Sequence, residues 1–513
     1  MRALVLGDAK SGRTSVAQRL VKPTLAGSHV GSSPKNNGVS ILEAVLSPKV
    51  SCQVWDFAAE IVTMPTHQFF ISENTVYVIV FSLSDANSIR RIDYWMDLIL
   101  GKVEQANIIL VGTHADKSSV DADRVVATCR SKYRGRKHLL LHSVVIVNTQ
   151  SVDSTRVWDS LQTLLISVSE TSSLRSWVGK SVQQKAVYLR SVLQAERSLL
   201  AIPVVSLSTF RNIARSCKIK ETEMDDCFGW LEYSAAVMFF ESIPRLKDIV
   251  VIDVLWLVSL MNRVSSWKKP LVGVDELESV FPFPQFSSLT FPAILRLLEG
   301  FSIAHVFQNR GSSESGSPGL LTKSSDSGNK FLIPFLLSDT EPDLSIEDRI
   351  VISKHTGHTY RRIYEVSAWI HGLFEQLLIR MMHISTKHCS FWRKGFVFMI
   401  ESGTGGWDLV VARLETNSNQ DTSECARIFF DITSSDRSGR VLHLVATTVE
   451  GLVRGWFPGS YFKRLVISGE HELDLDALGE ELMKIASKQE LRGFSRSYLK
   501  VFFCCRFFVF FFV

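Results

Sequence analysis

Residues 4–14 constrain the fold more than any other stretch: Leu4, Val5 and Leu6 run into Gly7, and four residues later come Gly12, Arg13 and Thr14. An apolar run, a glycine-punctuated turn and then a helix-forming stretch over 14–20 make a strand–loop–helix unit, as in a parallel sheet flanked by helices. The spacing fits the phosphate-binding pattern G-x-x-x-x-G-K-[ST], with arginine standing where lysine belongs. Gly7, Asp8, Ala9, Lys10, Ser11, Gly12, Arg13, Thr14 and Ser15 are therefore candidate phosphate contacts. The glycines let backbone N–H groups converge on phosphate oxygens, and the helix start adds its positive dipole end. The Thr14 hydroxyl is placed to ligate Mg²⁺.

Strand-like runs at 3–6, 40–46, 52–55, 76–81, 107–112 and 140–147 alternate with helical spacings at 14–20, 86–100, 121–132 and 155–168, an α/β pattern over residues 1–170. Residues 171–330 are richer in helical patterning, with helices expected at 177–199, 208–217 and 223–237. They end in a polar, low-complexity loop over 309–329 that is too poor in apolar groups to pack. Strands are expected again at 331–337, 396–400, 409–414, 426–432 and 441–446, with a helix over 367–382, so that residues 331–490 read as α+β. The adjacent acids Asp474 and Asp476 read as openers of a helix from residue 477.

With 513 residues and 46% hydrophobic residues, the chain can bury a large core, and its net charge of +5 gives no reason to expect nucleic acid as the main partner. Eight cysteines without a C-x-x-C pair read as reduced thiols rather than a zinc site. No secretory signal precedes the first strand, which makes the cytoplasm the expected location. Within the tail over 491–513, the apolar run 501–513 is interrupted by Arg506 and is shorter than a bilayer span. It reads as a cut end, and supports membrane association only weakly.

Two further motifs follow in order. Asp56 comes after the third strand, in Trp55-Asp56-Phe57-Ala58-Ala59-Glu60, where a GTPase carries D-x-x-G and its Asp holds the Mg²⁺ shell. After the fifth strand, Thr113-His114-Ala115-Asp116-Lys117 stands where guanine is read, and a carboxylate at Asp116 can accept from both N1–H and N2–H of that base. Singly, the glycines could mark only a tight turn, Asp56 a loop cap and Asp116 a helix start. Their order on successive strand ends favours a nucleotide site.

These residues, together with His67-Gln68-Phe69-Phe70, resemble the Roc (Ras of complex proteins) GTPase domain of the Roco family. Downstream, Phe239-Phe240-Glu241-Ser242-Ile243-Pro244-Arg245-Leu246-Lys247-Asp248, Ile252-Asp253-Val254-Leu255-Trp256-Leu257, Arg361-Arg362-Ile363-Tyr364 and Phe391-Trp392-Arg393-Lys394-Gly395 resemble its partner, the COR domain. The resemblance implies a Ras-like P-loop domain with a parallel-rich six-stranded sheet, followed by a mostly helical and then an α+β COR region. It implies GTP/GDP and Mg²⁺ as cofactors, with Thr14 and Asp56 on the metal. It also implies a homodimer formed through COR, and protein effectors. Nothing in the chain resembles a kinase glycine loop.

Four positions depart from the pattern. Arg13 replaces a compact ammonium with a bulkier planar fork. Ala59 puts a Cβ where the backbone must approach the γ-phosphate. Glu60 stands where a glutamine orients the attacking water, and a carboxylate there cannot donate. Asn36-Asn37-Gly38-Val39 lacks the expected switch threonine. Weakened nucleotide binding and slow or absent GTP hydrolysis follow, with a pseudo-GTPase scaffold as the alternative.

Overall fold

The computed structural model describes residues 1–21, 39–48, 50–57, 70–72, 74–103, 105–135, 139–147, 155–171, 183–241, 243, 245–265, 268–273, 291–307, 330–344, 349–350, 352–353, 357–366, 372–401, 406–417, 425–434, 440–457, 460, 462–468 and 471–477. The chain divides into two compact units, Met1–Ile333 and Pro334–Val513.

The first unit opens with β1 (Arg2–Gly7), α1 (Arg13–Val21), β2 (Val39–Ser47), β3 (Val50–Phe57), β4 (Val76–Ser82), α2 (Ala86–Arg90), α3 (Ile92–Leu100), β5 (Ala106–Thr113), α4 (Ala122–Tyr133), β6 (Leu139–Ile146) and α5 (Thr155–Ser169). The six strands form one sheet in the order β2-β3-β1-β4-β5-β6. Every pairing is parallel except β2 with β3. β1, β4 and β5 are buried along their whole length, as central strands covered on both faces must be. One face packs on Val16, Ala17 and Leu20 of α1 and on Trp158, Leu161 and Leu165 of α5. The stretch expected as one helix over 86–100 is two. Asp85 caps α2 by accepting from the Asn87 amide, and the chain restarts at Arg91.

The rest of the first unit carries α6 (Gln184–Leu199), β7 (Val204–Ser206), α7 (Leu207–Ser216), α8 (Glu221–Tyr233), β8 (Met238–Phe239), β9 (Ile249–Val251), α9 (Val254–Ser265), β10 (Leu271–Gly273), α10 (Phe291–Gly300), β11 (His305–Phe307) and β12 (Lys330–Leu332). Its helices pack around Leu189, Phe210, Met224, Leu231 and Val250, with Phe210 edge-on to Phe228 at 4.9 Å. The short strands make two three-stranded sheets, β7-β9-β8 and β10-β12-β11. The strand expected at 331–337 ends after Leu332, because Pro334 lacks the N–H a ladder needs, and Pro334–Leu336 form a 3₁₀ turn instead. This part meets the six-stranded sheet where, among other contacts, the Gln53 side-chain amide donates to the Ser234 carbonyl at 3.2 Å.

The second unit contains β13 (His358–Val366), α11 (Leu373–Ile384), β14 (Lys387–Trp392), β15 (Gly395–Glu401), β16 (Trp407–Asn417), β17 (Cys425–Ser434), α12 (Arg440–Trp456), β18 (Phe462–Ser468) and β19 (His471–Asp474). Its seven strands form an antiparallel sheet in the order β14-β15-β16-β17-β13-β18-β19. The strand expected at 441–446 is part of α12. Its buried residues, Val441, Val445, Val449, Leu452, Val453 and Trp456, recur at helical rather than alternating spacing, and the long stripe outweighs a six-residue β-branched window. Asp474 accepts from the amides of Asp476 and Ala477 at 2.9 and 3.3 Å, and Asp476 pairs with Arg464. Both acids thus serve a local cap and an ion pair. The low-complexity loop and the apolar tail lie outside the described residues. Among the described residues, no helix is long and apolar enough to cross a membrane.

Candidate functional site

In open α/β sheets the crevice lies beyond the carboxyl ends of the strands, where the strand order reverses. β1, flanked in parallel by β3 and β4, ends at Gly7 in that position. Gly7 sits at φ +151°, and a Cβ there would lie 2.3 Å from the Val80 carbonyl oxygen, so no other residue fits between the loop and β4. Gly12 sits at φ +83° against the Thr113 side chain. Lys10 also adopts positive φ, at 63°, at the exposed tip of the loop. The loop then closes into α1 through the Val16 amide, which donates to the Gly12 carbonyl at 3.0 Å.

β5 ends at Thr113, whose hydroxyl donates to the Ser11 carbonyl at 2.6 Å, tying the phosphate-type loop to the segment expected to read the base. His114 adopts left-handed φ of 55°, with Nδ1 3.0 Å from the Ser82 hydroxyl, and turns the chain into the short 3₁₀ helix Ala115–Lys117. Asp116 and Lys117 are exposed on that turn, and among the described residues the Asp116 carboxylate has no hydrogen-bond partner.

The phosphate end is different. Register pairs Val5 of β1 with Asp56 of β3, so Asp56 stands beside the strand that leads into the loop. Arg13, the first residue of α1, reaches back to it. Its Nε donates to Asp56 Oδ1 at 2.9 Å, and Nη1 donates to the Gly7 carbonyl, also at 2.9 Å. The two side chains are only 9% and 7% exposed. Burial lowers the Arg13 pKa and Asp56 acts to raise it, but a guanidinium keeps its proton at any physiological pH.

This arrangement decides how well Mg²⁺ fits. The ion needs a carboxylate free to enter a tight octahedral shell. Here the carboxylate expected to ligate it is engaged by a buried cation. At about 4 Å and an effective dielectric near 20, each unit of charge product is worth about 4 kcal/mol, so a divalent ion beside Arg13 meets strong repulsion. Asp56 as held by Arg13 does not fit the metal. The side chain of Thr14, half-buried one residue on, has no hydrogen bond to another described residue.

Two features of the loop were not legible in the sequence. Asp8 lies 2.9 Å from Arg91, at the junction of α2 and α3, an ion pair that braces the loop from the other side of the sheet. Burial raises the Asp8 pKa, opposed by Arg91. Ser11 Oγ is buried with no hydrogen-bond partner among the described residues. Motif spacing carries no sign of either, since Arg91 is remote in sequence and the Ser11 environment arises only when β4 and β5 close over the loop. Ala59 and Glu60, two of the altered positions, and Asn36 of the switch segment lie outside the described residues.

A glycine loop between a buried parallel strand and a helix, with an Asp on the neighbouring strand and a Thr-His-x-Asp turn two strands away, defines the Ras-like P-loop GTPase class. The family model "Ras of Complex, Roc, domain of DAPkinase" matches residues 2–116, and "C-terminal of Roc, COR-B domain" matches residues 357–499. The chain belongs to the Roco family, with a Roc domain followed by COR.

Among relatives from Dictyostelium discoideum, the probable serine/threonine-protein kinase pats1 is 22% identical over 79% of this chain and 13% of its own length. The probable serine/threonine-protein kinase roco5 is 28% identical over 54% of this chain and 10% of its own. Cyclic GMP-binding protein C is 21% identical over 89% of this chain and 18% of its own. The chain thus spans less than a fifth of the length of these relatives. A solved structure, Methanosarcina barkeri Roco2 RocCORdC bound to GDP, is similar with a TM-score of 0.47 and 15% identity, over 66% of this chain and 95% of that one.

Proposed function

We propose that this chain is a guanine-nucleotide-binding module of a cytoplasmic signalling protein, switching with GTP and GDP and hydrolysing GTP slowly at most. One observation carries the proposal: Gly7–Thr14, Asp56 and Thr113–Asp116 lie at the carboxyl ends of β1, β3 and β5, and Thr113 is hydrogen-bonded to Ser11 at 2.6 Å. In this reading the amides of residues 7–15 cradle the phosphates and Asp116 accepts from two guanine N–H groups. Thr113, His114 and Lys117 shape the base pocket, and Glu60 stands at the position of the water-orienting residue, where a carboxylate orients it poorly. Residues 171–330 and 331–490 are the two halves of COR, which would pair two copies of the chain. The kinase and cyclic-GMP-binding names belong to the relatives, whose remaining length this chain does not span.

The Arg13–Asp56 pair favours a second reading, in which the fold is a scaffold that binds partners without turning nucleotide over. Titration of the purified chain with fluorescent GDP and GTP separates the two. Saturable binding is expected, and none up to millimolar nucleotide leaves the scaffold. Turnover and a shifted oligomeric state on Arg13→Lys would establish the switch.

A further inference from the structure

In the P-loop arrangement, two positive groups meet the phosphates: the loop lysine, and Mg²⁺ anchored on the Asp of the neighbouring strand. In this chain one residue touches both places. Arg13 starts at the lysine position, yet its Nε lies on Asp56 and its Nη1 on the end of β1. Two of its five N–H donors are so engaged, and the other three have no partner among the described residues. The guanidinium is therefore fixed, nearly buried and still able to donate. For Mg²⁺ to reach Asp56, it would first have to strip the carboxylate from this cation and leave a buried guanidinium without its counter-charge.

We infer that the site takes its nucleotide without a metal ion, the Arg13 guanidinium standing as a built-in cation between Asp56 and the phosphates. The inference rests on the guanine-nucleotide reading and deepens it. Charge balance gives it a second consequence. A lysine and Mg²⁺ against one Asp leave a net +2 to meet a triphosphate, whereas Arg13 against Asp56 leaves a net charge of zero, with Lys10 exposed at the loop tip as the nearest other cation of the loop. A γ-phosphate then adds negative charge that nothing at Asp56 compensates. The site holds a diphosphate in preference to a triphosphate.

The test is equilibrium titration of the full chain, purified free of nucleotide, with fluorescent GDP and GTP in excess MgCl₂ and in excess EDTA. The GDP affinity is expected to agree within about twofold between the two buffers, with GDP at least about tenfold tighter than GTP in both. Arg13→Lys, which vacates Asp56, is expected to make binding tighter in MgCl₂ than in EDTA by about tenfold or more. Two results overturn the inference and leave guanine binding standing: wild-type affinity that falls about tenfold or more in EDTA, or a preference for GTP in MgCl₂. Absence of binding in both buffers removes the guanine reading itself, and the inference with it. Thermal melts with and without MgCl₂ give a readout that needs no label: an added metal is expected to leave the wild-type midpoint unchanged.

Discussion

The two ends of the proposed nucleotide site differ. At the proposed base end, Thr113, His114 and Asp116 stand at the end of β5 and on the turn after it, and the Asp116 carboxylate is exposed with no hydrogen-bond partner among the described residues. At the phosphate end, the residues that would meet a triphosphate and its metal have turned on one another, with two of the five Arg13 donors taken by Asp56 and Gly7. A recognition surface stays open only while its polar groups lack internal partners. Once a buried cation and carboxylate pair, the same groups become part of what holds the domain together.

That contrast sets the size of the expected effects. Asp56→Ala should cost the most, about 4 kcal/mol of folding stability measured by urea unfolding, because it leaves a buried guanidinium unpaired. The double substitution Arg13→Met with Asp56→Ala should recover much of that loss. If Asp56→Ala proves neutral, the phosphate end is not structural and the comparison fails. Asp116→Ala should leave stability unchanged but weaken GDP binding by about 3 kcal/mol, roughly a hundredfold, through loss of two charge-assisted hydrogen bonds. Equal losses of binding for inosine and guanine diphosphates would show that Asp116 reads N1–H alone.

The smallest effect concerns β5, the strand that leads to the base end. His142 on β6 donates through Nε2 to the Asn107 side chain on β5 at 2.9 Å, and burial lowers its pKa from the usual 6.5. The unfolded chain then takes up the proton at higher pH than the folded one. The stability from neutral His142 is fully present above about pH 6.5 and is lost as the pH falls through that value toward the lower folded pKa. The melting temperature should therefore drop on acidification, and His142→Gln should flatten that slope.

Much of this architecture was legible in the sequence, because buried parallel strands read as unbroken apolar runs and glycine spacing marks the loop after β1. The six strands of the first sheet fall where their apolar runs predict. Short elements were harder. β7, β8 and β9 have two or three residues each, too few to show a period, and exist because α7 and α8 give them a surface to lie on. The α12 segment misled because Val441–Ala446 is rich in strand-forming residues, and only its continuation to Trp456 reveals the helical stripe. At the site, the sequence identified Arg13 and Asp56 as separate departures and ligands. That they meet depends on the register of β1 against β3, which no local pattern encodes.

The hydrogen bond from Gln53 to Ser234 gives that same strand a mechanical character. Gln53 and Asp56 are three residues apart on β3, a span of about 10 Å in a strand paired on both edges. A strand so clamped moves as a rod rather than bending. Any displacement of the turn after α8 must either break the Gln53 bond or slide the rod, and sliding it drags the carboxylate on which Arg13 is anchored.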